Sequence, residues 1–286
     1  MASRSPLLNV MTAAAHKAAR GLVRDLGELE HLQVSKKGPA DYVSKADHRA
    51  ESILRGELTR ARPTFGLLME ESGAVTGSDT SNRWIVDPLD GTTNFLHGIP
   101  HFSISIALER DGEPFAGVIY SPVYDEMYAA EKGAGAYLNG RRLRVSGRKA
   151  MDEALFATGI PFRGIPDHEL FLGQLQAVMK VSAGVRRFGS AALDLAYVAA
   201  GRYDGYWENG LNPWDVAAGI VLVREAGGFV TDLAGGRRML HGGGILAANS
   251  ALHPELQRLL ADAAKAGSGA GGGEGMHPGD PPPQQP

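Results

Sequence analysis

Between Phe102 and Gly140 the chain reads as a meander. Phe102, Ile104, Ile106 and Leu108 alternate with Ser103, Ser105 and Ala107, the period of two that sends successive side chains to opposite faces of a strand. Asp111-Gly112 and Asn139-Gly140 are hairpin pairs, because both residue types tolerate the positive φ of two-residue loops. Phe115 to Tyr120 and Glu126 to Ala130 supply further strands of the same antiparallel sheet. Such a sheet needs something to cover its apolar face, and the preceding residues offer helices. Leu7, Leu8, Met11, Ala14, Ala15, Ala18, Leu22 and Leu26 share one helical face within residues 7–30, and a second helix runs from Lys45 to Arg60, ahead of Pro63. Phe65 to Met69 is a short strand, and Trp84-Ile85-Val86 is a buried one that stops at Asp87-Pro88. Ser35 to Ala40 and Glu70-Glu71-Ser72-Gly73 read as loops. Residues 1–145 therefore form an α+β half.

Residues 146–265 change character. Helical segments near 168–180, 190–200, 214–226 and 253–265 alternate with strands such as Tyr203 to Trp207 and Phe229 to Thr231. Gly201 and Gly227-Gly228 fall where helix C-caps belong. This is an α/β pattern. Residues 266–286, rich in glycine and proline, cannot build a core and read as a disordered tail. The chain contains no cysteine, which excludes disulfides, thiolate metal sites and a cysteine nucleophile. Its 29 Lys+Arg against 32 Asp+Glu argue against a broad nucleic-acid surface. No apolar run reaches the roughly 20 residues of a membrane span. The apolar stretch after Arg4 is broken by His16, Lys17 and Arg20, so it is a helix and not a signal peptide. A cytoplasmic protein is expected.

The stretch Trp84-Ile85-Val86-Asp87-Pro88-Leu89-Asp90-Gly91-Thr92-Thr93-Asn94 carries the chemistry. Pro88 extends Asp87, and a type I turn would bring Asp87 beside Asp90. Leu89 can turn its carbonyl to the same side, Gly91 lets the chain approach a ligand, and Thr92 opens a helix. Two carboxylates and a carbonyl suit a hard cation holding a phosphate. An isolated Asp-Pro pair is an ordinary turn; the eleven residues together are far more specific. The Asp-x-Asp-Gly-Thr pattern of aspartyl phosphatases has one residue between its aspartates, whereas here two intervene. No phosphate-binding loop or dinucleotide fingerprint is present.

The stretch resembles the metal-binding signature of the inositol monophosphatase family of magnesium-dependent, lithium-sensitive phosphatases. Trp214-Asp215-Val216-Ala217-Ala218-Gly219, running on to Glu225-Ala226-Gly227-Gly228, is similar to its C-terminal motif, and Glu70-Glu71-Ser72 to its glutamate loop. The run Arg186-Arg187-Phe188-Gly189-Ser190-Ala191-Ala192-Leu193-Asp194-Leu195 is similar to the bacterial branch. The resemblance spans about Lys36 to Thr231. It implies a layered αβαβα sandwich of the sugar-phosphatase type, a homodimer, and two or three Mg²⁺ held by Glu70, Asp87, the Leu89 carbonyl, Asp90 and Asp215. Thr92, backed by Asp47 of the early motif Asp41-Tyr42-Val43-Ser44-Lys45-Ala46-Asp47, would orient the attacking water, with Glu70 sharing in its deprotonation. Gly91 and Thr92 would cradle the phosphate. Asp90, Gly189, Ser190, Ala191 and Glu208 would bind the alcohol. Lys36 would approach the outer metal waters, and Glu71 a third metal or the metal-bound groups.

The implied reaction is hydrolysis of myo-inositol monophosphate, a small-molecule phosphate ester. Fructose 1,6-bisphosphate, histidinol phosphate and nucleotide 3′-phosphates share the general signature and stay open. From another class, an RNA- or transcription-related binding role stays open, with Arg186-Arg187 and Arg141-Arg142 as the compact basic elements.

Overall fold

Asp111-Gly112 (φ 53° and 79°) and Asn139-Gly140 (φ 48° and 82°) adopt the left-handed backbone that their hairpins demand. In the computed structural model, which describes residues 5–29, 34–38, 41–161 and 168–269, these turns organise an eight-stranded sheet. Its meander runs through β5 (Asp79–Asp90), β6 (Ser103–Arg110), β7 (Glu113–Ser121), β8 (Glu126–Glu131), β9 (Gly135–Leu138) and β10 (Arg141–Arg142). On the other side of β5 lie β3 (Phe65–Met69), parallel to it, and then β4 (Gly73–Val75). A separate hairpin pairs β1 (Val34–Gly38) with β2 (Asp41–Ser44).

A second sheet has the order β12 (Gly184–Arg186), β11 (Leu155–Thr158), β13 (Gly205–Asn209), β15 (Gly244–Ala248), β14 (Phe229–Thr231). Its first three strands are parallel and its last two pairings antiparallel. Helices α1 (Pro6–Leu26) and α2 (Lys45–Ala61) cover one face of the large sheet. Helices α5 (Ala191–Ala199) and α6 (Pro213–Glu225) lie between the sheets, and α4 (His168–Met179) and α7 (His253–Gly269) close the far side. A short helix, α3 (Thr92–Leu96), follows β5. The result is the layered αβαβα sandwich.

Strand alternation assigns each side chain to its layer. Trp84 and Val86, with Ile104, Ile106 and Leu108, join the core under α1 and α2, whereas Ile85 and Ala107 join the core around α5 and α6. In the second sheet Tyr206, Ile245 and Ala247 face that same middle core, while Trp207, Leu246 and Ala248 face α4 and α7. Two sheets share one helical layer because their apolar faces both point at it.

Several expectations shift. Residues 35–38 of the expected polar loop belong to β1, and α1 ends at Leu26. Helix α7 runs to Gly269, past the boundary placed at Ala266, and the rest of the expected tail lies outside the described residues. The strand through Trp84 does not stop at Asp87 but continues to Asp90, for a reason that belongs to the site.

The middle layer sits close to the large sheet because Gly117 on β7 has no side chain. A Cβ there would lie 2.5 Å from the Ala218 carbonyl oxygen and 2.8 Å from its Cα. Gly117→Val is expected to cost about 2–3 kcal/mol through overpacking, read as a lower denaturant midpoint; an unchanged midpoint would contradict this close contact.

Candidate active site

Asp87 pairs with Ser105 and Asp90 with Ser103, so β5 spends one residue more than β6 across this interval. This is a β-bulge, and it falls at Pro88, which has no N–H to give a ladder. The expected close approach of Asp87 and Asp90 thus comes from a bulge within a strand and not from a turn after one. The Leu89 N–H donates to Asp87 Oδ1 at 2.9 Å. Gly91 (φ 92°) ends the bulged segment, where a Cβ would stand 3.1 Å from the His101 carbonyl oxygen.

Helix α2 delivers Asp47. Ser44 and Asp47 form a capping box: the Ser44 N–H donates to Asp47 Oδ2 at 2.9 Å, and the Ser44 hydroxyl donates to the same oxygen at 2.5 Å. Thr92 Oγ1 lies 3.2 Å from Asp47 Oδ1 and 3.0 Å from the Leu89 carbonyl oxygen. Its single proton serves one of these acceptors at a time, which leaves its oxygen lone pairs for an incoming donor. One helical turn on, buried Glu51 accepts the Glu71 N–H at 2.8 Å and fixes the loop that carries Glu70. Glu51 was missed, although Asp47 and Glu51 stand at i,i+4 on the same buried face as Ala46, Ala50 and Leu54. Acids on an apolar stripe were the available signal.

Asp215 comes from the first turn of α6. Its Oδ2 accepts the Asn212 N–H at 2.7 Å in a second capping box. Ser105, opposite Asp87 on β6, donates through Oγ to the Trp214 carbonyl at 3.1 Å and ties this helix start to the bulge.

The electrostatics show which acids meet. Burial pushes the Asp87 carboxyl well above the usual range, and the charges of Glu70, Asp90 and Asp215 push it further. Asp215 is raised by burial and by Asp90, Glu70 and Glu208. Asp90 is raised to about 6 by burial, against hydrogen bonds from Ser190 and from the 191–192 backbone. Like charges raise one another only when they share a site. Among the described residues no three acidic or histidine side chains are already drawn together around a point where a metal would sit. The donor set nevertheless fits Mg²⁺: it is all oxygen, pinned by protein N–H and hydroxyl groups with acceptor capacity to spare.

The rim comes from the second half of the chain. Ser190 Oγ donates to Asp90 Oδ2, the Ala192 N–H reaches it at 2.9 Å, and Ser103 Oγ at 3.5 Å. Asn94 Nδ2 donates to the carbonyls of His101 and Phe188, each at 2.7 Å, and clasps the Gly189 segment (φ 82°) against the Gly91 turn. Ala191 opens α5. Glu208, near the end of β13, accepts a hydrogen bond from the Tyr206 hydroxyl; burial raises its carboxyl to about 7, with the charge of Asp90 contributing. The structure thus brings Asp47, Glu70, Asp87, Leu89, Asp90, Thr92, Ser190, Glu208 and Asp215 into one neighbourhood. The backbone N–H of Glu71 donates to Glu51. Lys36 falls on β1, and its side chain lies outside the described residues.

Comparison with known proteins agrees. The sequence model of the inositol monophosphatase family matches residues 3–267. An inositol-1-monophosphatase of Mesorhizobium japonicum is 59% identical over 263 residues, covering 92% of this chain and 97% of that protein. The Nus factor SuhB of Pseudomonas aeruginosa is 46% identical over 249 residues, covering 86% and 92%. The crystal structure of the extragenic suppressor protein suhB from Bartonella henselae superposes with a TM-score of 0.87 at 57% identity, covering 90% of this chain and 98% of that one. With the bulged Asp87–Asp90 segment, the Asp215 helix start and the layered sandwich in place, the chain belongs to the inositol monophosphatase family.

Proposed function

We propose that this chain is a Mg²⁺-dependent phosphomonoesterase that hydrolyses myo-inositol monophosphate to inositol and phosphate by direct attack of water. The observation that carries the reading is the bulge that brings buried Asp87 and Asp90 together at the end of β5, tied through Ser105 to the helix start that bears Asp215, beside a Thr92 hydroxyl backed by Asp47. Glu70, Asp87, the Leu89 carbonyl, Asp90 and Asp215 hold two or three Mg²⁺, with most ligands from residues 1–145 and Asp215 from residues 146–265. Bound magnesium supplies the positive charge that lowers the pKa of water and offsets the charge of phosphate and leaving oxygen. Thr92 Oγ1, with its proton directed to Asp47 or Leu89, accepts from the attacking water and aims it. Asp47 holds that orientation, and Glu70 takes up the proton. Backbone at Gly91 and Thr92 receives phosphate oxygens. Asp90, Glu208 and the Gly189-Ser190-Ala191 segment receive the alcohol, whose vicinal hydroxyls donate well to carboxylates. Around this set, Lys36 would approach the outer metal waters and Glu71 a third metal or the metal-bound groups. We further propose a cytoplasmic homodimer; among the described residues no helix is long and apolar enough to cross a membrane.

Phosphate release from a panel of phosphomonoesters tests this. Turnover of inositol monophosphate that requires Mg²⁺ and falls with lithium supports the proposal. Preference for fructose 1,6-bisphosphate, histidinol phosphate or a nucleotide 3′-phosphate keeps the chemistry and replaces the alcohol. No metal-dependent release overturns it. Relatives named Nus factor SuhB favour a second reading, an RNA- or transcription-related interaction; salt-sensitive RNA binding lost on substitution of Arg186 and Arg187 would support it, and no binding would remove it.

Three outcomes follow from the site. Asp215→Asn keeps the fold but lowers kcat sharply and raises the Mg²⁺ needed for half-maximal rate; near-normal turnover would contradict its role. Thr92→Val, losing the hydroxyl at little change in volume, lowers kcat by about 10²–10³-fold with KM little changed; a small effect would remove Thr92 from water orientation. The metal-free folded chain binds more protons than the unfolded chain, because burial raises Asp87, Asp90 (to about 6), Glu208 (to about 7) and Asp215. The stability these acids contribute is therefore present below about pH 4 and is lost as pH rises from about 4 to about 7. The gain in Tm on adding Mg²⁺ should widen across the same range, and a gain independent of pH would contradict the cluster.

A further inference from the structure

Strands β11 and β13 run parallel, with Phe156 beside Gly205, Ala157 beside Tyr206 and Thr158 beside Trp207. One step further, Gly159 comes level with Glu208. Alternation places Ala157 and Gly159 on the face of Tyr206 and Glu208, toward α5 and α6, whereas Phe156 and Trp207 face the outer core. A column of small residues thus stands beside a column of large ones. At its end, a Cβ on Gly159 would fall inside the Glu208 carboxyl group, against Cδ and both oxygens. Gly159 is not among the residues with positive φ, so its backbone conformation makes no demand for glycine. The space does.

The Glu208 carboxylate has no easy retreat. The Tyr206 hydroxyl holds its Oε2 from within the same strand. The charge of Asp90 bears on it, its own charge bears on buried Asp194 of α5, and Arg187 at the rim attracts both Glu208 and Asp194. Beside it, Thr158 Oγ1 donates to the Gly159 carbonyl at 3.2 Å and steadies the strand end.

We infer that Gly159 is a positioning residue for substrate choice: the missing side chain at 159 forms the slot that sets the Glu208 carboxylate against the hydroxyl groups of a polyol phosphate. The inference rests on the proposed role of Glu208. A side chain at 159 displaces that carboxylate, so selectivity for a polyol over a plain alcohol is set from a strand that itself touches no hydroxyl.

A double-mutant cycle tests it. Gly159→Ala, Glu208→Ala and the double variant are compared with the unsubstituted chain at saturating Mg²⁺, on inositol 1-phosphate and on p-nitrophenyl phosphate, which has no vicinal hydroxyls. Gly159→Ala should raise KM for inositol 1-phosphate about tenfold, the scale of one displaced charged hydrogen-bond partner, with an effect on p-nitrophenyl phosphate about fivefold smaller or less. In the Glu208→Ala background the added methyl occupies vacated space, and Gly159→Ala should change nothing further. An unchanged KM in Gly159→Ala, equal losses on both substrates, or an undiminished effect in the Glu208→Ala background would each overturn the inference. Should Gly159→Ala alone fail to fold, the double variant should fold; its failure to do so would overturn the slot. Absence of polyol phosphate turnover in the unsubstituted chain would remove the functional reading first, and this inference with it.

Discussion

Negative charge crowded beneath a strand end is the constraint on which the rest of the structure depends. Asp87 is 3% exposed, yet the charges of Glu70, Asp90 and Asp215 all bear on it. Burying one carboxylate without a partner is costly, and gathering several multiplies that cost. The chain meets it by pinning three of these acids with N–H or hydroxyl donors: Leu89 on Asp87, Ser190 and Ala192 on Asp90, Asn212 on Asp215. These bonds orient the acids while leaving their affinity for a cation intact. The stability lost by assembling them is what makes the site useful.

The layers explain why the acids meet at one point. Glu70 follows β3, Asp87 and Asp90 end the neighbouring strand β5, and Asp215 starts a helix laid on the same sheet. That helix reaches the sheet through residues without bulk: Gly117 meets Ala218, and a Cβ on Gly219 would strike the Leu195 side chain of α5. The run Ala217-Ala218-Gly219 is thus a packing device placed directly behind Asp215. Ser105 completes the join by holding the Trp214 carbonyl. Asn94 does the same for the rim, fastening the 188–189 segment to the 91–101 segment.

Much of this was legible in the sequence. The two hairpin pairs, the strand Phe65–Met69 and the helices carrying Asp47 and Asp215 follow from local rules, because period, caps and turn residues act over a few positions. The motif order pointed to Glu70, Asp87, Asp90, Asp215 and Glu208, which the fold brings into one neighbourhood. The bulge at Pro88 was not legible. Local turn rules end the strand at Asp87, and only pairing with Ser103 and Ser105 carries it to Asp90. Short strands such as β11, β12 and β15 also escaped, since a few apolar residues have no distinctive period of their own. Glu51, Asn94, Ser105 and Gly159 act across long separations in sequence. Their residue types alone carry no sign of the partner, and only the assembled sheets supply it.

The central claim is that the carboxylate cluster is a cation site. Calorimetric titration of Mg²⁺ into the full-length, metal-free chain near about pH 6, repeated in buffers of different ionisation heat, addresses it most directly. The account expects saturable binding accompanied by proton release, because acids raised by burial and by one another must give up protons to the metal. A chain that stays folded yet shows no saturable heat, or binds Mg²⁺ without releasing protons, would contradict it.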